Sequence, residues 1–383
     1  MVSGIIFAAL LATVSAVLED GQFQPDRNFD PNSVAAYEDV LYGPAGPSYP
    51  EAVAQVEADI SAEEQQQMPT SAGRERSGAS LAVSKPLGEV SAVAIGKEGT
   101  VIAFHRGDRT WNDKSFSTEY KFNPALGPIK NSTIYVIDAA TGTVVAEHGE
   151  NRFYMPHGLT VDKQGNVWVT DVGSHQVHKL DGKTFEPVLS LGEKLVPGSD
   201  DGHFCQPTDV AVSADGRFAF VADGYCGSRV VKFDAKTGKL LEQFGSPDTA
   251  YPAEAGEFFV PHSLTLIEDL NLLCVADREN ERIQCFAAGL AAGHRQQAPT
   301  GMFVTKAENI GRVYAIRERR HYLVGVTGAD AEGLEPQMFM MDMDTGKAET
   351  FAKGLDGHAL AIDDTGMVYV ARMHPNEIVQ IQI

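Results

Sequence analysis

The sequence predicts an all-β protein with the architecture of a six-bladed β-propeller. The first observation is a segment of three short alternating strands that recurs along the chain. The second is its spacing, since Thr208 lies 51 residues after His157 and His262 lies 54 residues after Thr208. Periods near 50 residues with Gly and Asp turns are typical of propeller blades, whereas one large sandwich or barrel does not need copies in register.

The clearest copy lies between residues 259 and 286, where Leu264 to Ile267, Leu272 to Ala276 and Arg282 to Phe286 are the predicted strands. Three more copies have the same pattern: PHGLTVDKQGNVWVTDVGSHQVHKL, PTDVAVSADGRFAFVADGYCGSRVVKF and GHALAIDDTGMVYVARMHPNEIVQIQI. A degenerate copy fills the interval before His358, with Val313 to Ile316, Tyr322 to Val326 and Met338 to Met341 as its strands. The first copy begins with EVSAVAIGKEGTVIAFH and includes Thr133 to Asp138, so the count is six.

The amino-terminal residues have a different character. Residues 1–16 are predicted to be a signal peptide, because an apolar run from Ile5 to Val17 contains the cleavage-type tripeptide Val14-Ser15-Ala16. Residues 17–86 are rich in Pro, Ala, Gln and acidic residues and are expected to form a mobile leader, so that the propeller occupies residues 87–383. We therefore expect a protein of the secretory pathway or extracellular space, with no membrane span in the mature chain.

Charge and cysteine content restrict the function further. The chain has 31 basic and 52 acidic residues, a net charge of -21, which argues against nucleic-acid binding. Its four cysteines allow three pairings. Cys274 and Cys285 face each other across a predicted hairpin, and antiparallel pairing brings the segments with Cys205 and Cys226 together, so we predict these two disulfides. Asn131 begins a glycosylation sequon.

Three histidines occupy the same position in three repeats. His157, His262 and His358 each stand at the entrance to a first strand, in PHGL, PHSL and GHAL. The repeats are related by rotation about the central channel, and these are the second, fourth and sixth copies, so we expect the three imidazoles to converge on the axis. Three neutral imidazoles with a free fourth position are the ligand set of a catalytic zinc site.

A second set of side chains follows the second strands. Arg106 in FHRGD, Tyr225 in DGYC and Arg278 in ADREN are expected on the same face of the disc as the histidines. Arginine can bind a carboxylate bidentately. Tyrosine can act as a base only where positive charge favours its ionised form, and Arg106 is the expected source of that charge. The alternative is that the two arginines form surface salt bridges with Asp108 and Glu279.

These residues also carry a family resemblance. The motifs FHRGDRTW, MPHGLTVDKQGNVWVTDV, HFCQPTDVAV, VADGYCGSRVV, FVPHSLTL and VADRENERIQCF resemble those of peptidyl-α-hydroxyglycine α-amidating lyase, the lyase domain of the peptide C-terminal amidating enzyme. The resemblance covers residues 89 to 383. It implies a propeller of the NHL-repeat type, zinc held by His157, His262 and His358, and catalysis by Arg106, Tyr225 and Arg278.

The implied reaction cleaves the N–Cα bond of a C-terminal α-hydroxyglycine and releases a peptide amide and glyoxylate. The hydroxylated peptide would come from a separate peptidylglycine monooxygenase, because no such domain is evident between the predicted signal and the propeller. The family also carries calcium, bound by two backbone carbonyls and an aspartate after the third histidine. Val93 and Leu159 match the carbonyl positions, but Ala359 replaces the aspartate. Calcium binding is therefore in doubt, unless Asp356 substitutes.

Two other functions are compatible with a propeller. A lactonase or esterase of the metal-dependent type would need acidic and Asn ligands around the axis instead of three histidines. A non-catalytic NHL propeller that binds a partner protein would explain the repeats but not the phased His, Arg and Tyr residues. Replacement of Tyr225 by Phe distinguishes these functions, because only the lyase should lose turnover.

Overall fold

The computed structural model of the chain describes residues 18–19, 22–23, 78–249, 251–290, 298–329 and 334–383. The chain divides into two compact units, Met1–Arg74 and Glu75–Ile383. In the first unit, Leu18–Glu19 pairs antiparallel with Gln22–Phe23. The predicted signal peptide and most of the predicted leader lie outside the described residues. Within the described residues, no helix is both long and apolar enough to cross a bilayer.

The second unit is a six-bladed propeller, as predicted, and each blade is a four-stranded antiparallel sheet numbered here in chain order. Blade 1 contains the strands Val90–Ile95, Thr100–His105, Ile134–Asp138 and Val144–His148. Blade 2 contains Pro156–Val161, Val167–Asp171, Gln176–Leu180 and Pro187–Leu191. Blade 3 contains Pro207–Val212, Phe218–Asp223, Arg229–Asp234 and Leu240–Phe244.

The remaining blades have the same order of strands. Blade 4 contains Pro261–Ile267, Leu272–Asp277, Arg282–Ala287 and Phe303–Ala307. Blade 5, the degenerate copy, contains Val313–Arg319, Tyr322–Thr327, Met338–Asp342 and Ala348–Phe351. Blade 6 contains Ala359–Ile362, Met367–Arg372 and Glu377–Gln382, with Ala79–Ser80 as its fourth strand. A short parallel pair, Ser246–Pro247 with Glu257–Phe258, and the 3-10 turns Pro124–Leu126 and Arg278–Asn280 complete the described elements.

The ring is closed by residues from the amino-terminal side of the propeller. Val379 and Gln380, in the third strand of blade 6, pair with Ser80 and Ala79. A segment that precedes the first blade in the sequence thus supplies the fourth strand of blade 6. The propeller therefore begins at least eight residues before Leu87, the start expected from composition. A two-residue strand is too short to show a hydrophobic period, which explains why the sequence did not reveal it.

The core lies between successive blades. First strands are largely buried, because one face packs on each neighbouring blade, and apolar residues such as Val93, Leu159 and Val210 fill much of their length. Trp168 and Val177 of blade 2 pack with Val210, Val221 and Val231 of blade 3, for example, in one buried cluster. The innermost strand of each blade contacts the innermost strands of the next and previous blades, so the six line a central channel.

Both predicted disulfides are confirmed. Cys274 and Cys285 stand opposite each other in the second and third strands of blade 4, with their Cα atoms 4.0 Å apart. Cys205 and Cys226 join the segment before the first strand of blade 3 to the loop after its second strand, with a Cα separation of 5.1 Å.

A buried aspartate ends the second strand of three blades. Asp171, Asp223 and Asp277 have no solvent exposure. Each accepts hydrogen bonds from backbone N–H groups just upstream of the first strand of its own blade: Tyr154 and Met155 in blade 2, Cys205 in blade 3 and Phe259 in blade 4. Since buried N–H groups need partners, these carboxylates fix the loops that lead into the channel-lining strands.

Candidate metal centre and active site

A β-bulge gives the residue at the entrance of each first strand its direction. The register between the first and second strands shifts by one residue at this point in five blades, and the extra residue falls at Ser91, His157, Thr208, His262 and Tyr314. In blade 6 the equivalent residue, His358, directly precedes its strand. A bulge takes a residue out of the ladder and re-aims its side chain. All six residues line one central cavity.

The predicted convergence of the three histidines is confirmed. The ring centroids of His157, His262 and His358 are 4.8 Å apart in each of the three pairs. One ring nitrogen from each lies within 4.8 Å of the others, and all three side chains are buried. Imidazoles from alternate blades therefore surround the propeller axis with nearly threefold symmetry.

The intervening blades orient these rings. His157 Nδ1 lies 2.8 Å from the carbonyl oxygen of Thr208 in blade 3. His262 Nδ1 lies 2.6 Å from that of Tyr314 in blade 5, and His358 Nδ1 lies 2.6 Å from that of Ser91 in blade 1. A carbonyl can only accept, so each Nδ1 carries the proton and each Nε2 keeps its lone pair. This is the usual arrangement for metal-binding histidines, in which a hydrogen bond from one ring nitrogen orients the other.

The electrostatics of the centre keep the imidazoles neutral. Burial lowers the pKa of His157 and His262 well below the ordinary value of 6.5 and that of His358 to about 3. The charge of Arg106 acts in the same direction on His157 and His358. The donor set therefore fits a cation that prefers nitrogen ligands.

Tyr225 brings a phenol hydroxyl to this centre. Its hydroxyl lies 3.0 Å from His157 Nε2 and 3.4 Å from His262 Nε2. Because these nitrogens carry lone pairs, the hydroxyl donates its single proton to the nearer of them, His157 Nε2. The side chain follows the second strand of blade 3, as predicted, and its ring packs 4.9 Å from that of Trp111.

Arg278 is the cation beside this hydroxyl. Its Nη1 lies 3.5 Å from Tyr225 Oη, and its guanidinium stands 5.2 Å from the centroid of the Tyr225 ring. Its Nε donates to Glu279 Oε1 at 2.7 Å, and Glu279 also binds Arg312. The Arg278–Glu279 pair that we considered as an alternative therefore exists, but Arg278 is only 9% exposed and lies in the site instead of on the surface.

Arg106 has a different place from the one expected. It is 2% exposed, and its Nη1 pairs with Glu89 Oε2 at 2.7 Å, so its partner is not Asp108. Its Nε donates to the carbonyl of Pro156 at 3.1 Å, directly before His157. The cation in contact with Tyr225 is thus Arg278, and Arg106 supports the strand that carries His157. Sequence spacing placed both arginines near the channel mouth but did not show which one reaches the phenol.

Tyr314 is a site residue that the sequence analysis missed. Its ring lies 5.2 Å from that of His262, and the guanidinium of Arg278 stands 4.8 Å from its centroid. Arg278 therefore lies between two phenol rings, those of Tyr225 and Tyr314. The signal was present in the sequence, because Tyr314 occupies in blade 5 the position of His262 in blade 4.

Comparison with known proteins identifies relatives of this chain. The NHL repeat matches residues 153–180 and 260–286. The probable peptidyl-α-hydroxyglycine α-amidating lyase pgal-1 of Caenorhabditis elegans is 55% identical over 301 residues, which cover 78% of this chain and 84% of that protein. The peptidyl-glycine α-amidating monooxygenase of Mus musculus is 42% identical over 303 residues, 76% of this chain but only 30% of the mouse protein.

A solved structure of low sequence similarity supports the fold alone. The β-propeller domain of Cps50 (Swd1) from Myceliophteria thermophila is 10% identical, with a TM-score of 0.51 over 80% of this chain and 99% of that one. The propeller is thus common to proteins of different sequence, whereas the identity to the nematode lyase extends over most of both chains. The chain belongs to the peptidyl-α-hydroxyglycine α-amidating lyase family.

Proposed function

We propose that this site cleaves peptidyl-α-hydroxyglycine, the lyase step of peptide amidation, with a zinc ion held by His157, His262 and His358. The observation that carries the proposal is the convergence of three unprotonated Nε2 atoms, each fixed by a hydrogen bond from Nδ1 to a backbone carbonyl. Three imidazoles with an open fourth position suit zinc. When bound there, zinc supplies a Lewis acid for the hydroxyl or carboxylate of the substrate.

Arg278 binds the substrate carboxylate in this proposal. Its charge together with that of Arg312 exceeds the charge of their shared partner Glu279, so one positive charge remains for an anion. Arg106 is instead balanced by Glu89 at 2.7 Å. A guanidinium held between two aromatic rings keeps a fixed plane, which suits recognition of a planar carboxylate. Arg106 acts as a positioning residue through the carbonyl of Pro156.

Tyr225 moves the proton. In its ionised form its oxygen accepts the proton of the α-hydroxyl, and the O–H electron pair forms the carbonyl of glyoxylate. The electrons of the N–Cα bond pass to the amide nitrogen, which receives the proton from Tyr225, so that atoms and charges balance. Arg278, with Nη1 3.5 Å from this oxygen, stabilises the phenolate that is present before the first transfer and is regenerated by the second.

We place this reaction in the secretory pathway. Two disulfides are typical of an oxidising compartment. Asn131 is exposed and so accessible to glycosylation. The α-hydroxyglycine substrate requires an oxidised glycine, so a peptidylglycine monooxygenase on a separate polypeptide is the proposed upstream partner. Signal cleavage after residue 16 belongs to the same proposal.

The test is glyoxylate release from a synthetic peptide ending in α-hydroxyglycine, together with the metal content of the purified protein. We expect one zinc per chain, loss of activity with a chelator, and recovery with zinc. His262→Ala should lose both zinc and turnover. His321→Asn is the matched control. His321 lies in the turn between the first two strands of blade 5, away from the centre, where its side chain pairs with Asp269.

Two outcomes would overturn the proposal. If the folded, zinc-loaded protein releases no glyoxylate, the protein is a non-catalytic propeller that binds a partner. Full turnover in the metal-free protein, or in His262→Ala, would show that the reaction does not require the metal.

A further inference from the structure

The central cavity has a second layer next to the histidines. It is formed by the residues that follow the bulge in each first strand, among them Asp209, Ser263 and Ala359, and by Arg317 of blade 5. Asp209 is the one acid among the described residues that line the cavity, and it is 4% exposed. No step of the reaction described above uses this layer.

Arg317 places its guanidinium in this layer. Its Nη1 lies 3.2 Å from Asp209 Oδ2, 3.0 Å from Ser263 Oγ, 3.1 Å from the carbonyl oxygen of Leu264 and 2.8 Å from that of Ile316. Asp209 Oδ2 also accepts hydrogen bonds from Ser263 Oγ and from the backbone N–H of Leu264, both at 3.0 Å. One cationic nitrogen is thus surrounded by a carboxylate, a hydroxyl and two carbonyls, whose oxygen atoms all accept hydrogen bonds from it.

The calcium implied by the resemblance does not fit this chain. Ala359 offers no carboxylate, and Asp356, the nearby acid that we considered as a substitute, is exposed. The carboxylate that the cavity does contain, Asp209, is already engaged by Arg317. Calcium takes six to eight oxygen ligands and prefers carboxylates among them. A divalent ion here would find no free carboxylate and would face the charge of the guanidinium.

The carbonyls that contact Arg317 stand at the same blade position as those matched to calcium. Val93 and Leu159, the two positions matched to calcium-binding carbonyls, each lie two residues after the bulge position of their blade. Leu264 and Ile316 lie two residues after that position in blades 4 and 5, and their carbonyls bind Arg317. We infer that the guanidinium of Arg317, paired with Asp209, serves as an internal cation that takes the structural place of calcium. The propeller is therefore calcium-independent.

Direct calcium titration of the zinc-loaded full chain is the first test. Isothermal titration of the calcium-free protein with CaCl2 should show no saturable binding up to millimolar concentration, and the melting temperature should not change. A site with a Kd of about 10 µM would instead raise the melting temperature by roughly 4 °C at 1 mM calcium. Stoichiometric binding with such a shift would overturn the inference.

Replacement of the arginine is the second test. Arg317→Met leaves Asp209 buried without its cation and should lower the melting temperature by about 5 °C. Arg319→Met is the matched control, because Arg319 lies in the same strand and donates to the exposed carbonyl of Asp364, so little change is expected. An unchanged melting temperature in Arg317→Met would contradict the role of Arg317. If that variant does not fold, the calcium titration of the unmodified chain still tests whether the propeller is calcium-independent. Neither test depends on lyase activity.

Discussion

Gly158 is the position at which the spacing between blades 2 and 3 can be perturbed most directly. A Cβ atom there would lie 2.3 Å from the carbonyl oxygen of Thr208 and 2.9 Å from Thr170 Oγ1. The same carbonyl accepts the hydrogen bond from His157 Nδ1 at 2.8 Å. Gly158→Ala should therefore displace the carbonyl that orients His157, a proposed zinc ligand, without altering any side chain of the site.

The size of the effect follows from these distances. To restore ordinary contact with a methyl group, the carbonyl must move away by about 1 Å, which takes the His157 hydrogen bond beyond its normal range. Overpacking costs about 1–3 kcal/mol, and a buried donor without its partner costs a similar amount. We expect a loss of about 3 kcal/mol in the free energy of unfolding, or about 5 °C in melting temperature for a propeller of this length.

Zinc affinity should fall as well. Loss of the partner that orients a metal-binding histidine typically reduces affinity about 10- to 100-fold. Competition with a fluorescent zinc chelator measures this, alongside thermal unfolding. Gly202→Ala is the control, because a Cβ there would meet only Asp200 Oδ1, at an ordinary 3.5 Å. If Gly158→Ala binds zinc and melts like Gly202→Ala, then the backbone carbonyl of Thr208 does not orient His157.

The remaining predictions concern three side chains. Tyr225→Phe should lower kcat by about 10²- to 10⁴-fold and keep one zinc per chain, and near-normal turnover would rule out the phenol as the proton carrier. Tyr314→Leu should raise KM about tenfold at similar kcat, because Arg278 loses an aromatic contact, whereas Tyr314→Phe keeps the ring and should be nearly normal. Burial lowers the pKa of His105 from 6.5 to about 4, so the unfolded chain takes up a proton there before the folded protein does, and stability falls as the pH drops through this window. Denaturant unfolding at pH 7.5 and pH 5 should show about 2 kcal/mol less acid destabilisation in His105→Asn than in the unmodified protein, and equal pH dependence would refute the assignment.

The repeat made most of the fold predictable. Because same-phase residues of a propeller are related by rotation, the positions of His157, His262 and His358 in the sequence were enough to predict that they meet. The same logic placed Cys274 opposite Cys285 in a hairpin, and the structure confirms it. These predictions required only the strand period and the blade count, and neither depends on the details of side-chain packing.

What the sequence did not show depends on side-chain reach. Arg106 and Arg278 occupy equivalent positions after second strands, yet one pairs with Glu89 and the other reaches Tyr225, because their neighbours differ. Arg317 comes from a blade whose repeat is degenerate, so its alignment with the channel was not apparent. Strand period fixes the direction of a side chain but not the partner that a long and flexible arginine finds.

The alternation of blades explains why the site needs a complete ring. Blades 2, 4 and 6 supply imidazoles, and blades 3, 5 and 1 supply the carbonyls that fix them. Each imidazole is thus oriented by a neighbouring blade, and the hydrogen bond from His358 to Ser91 crosses the closure between the last blade and the first. Closure also depends on the pairing of Ala79–Ser80 with Glu377–Gln382, the third strand of blade 6. A variant that weakens this pairing should therefore loosen the His358 ligand first, because its carbonyl partner lies across that closure.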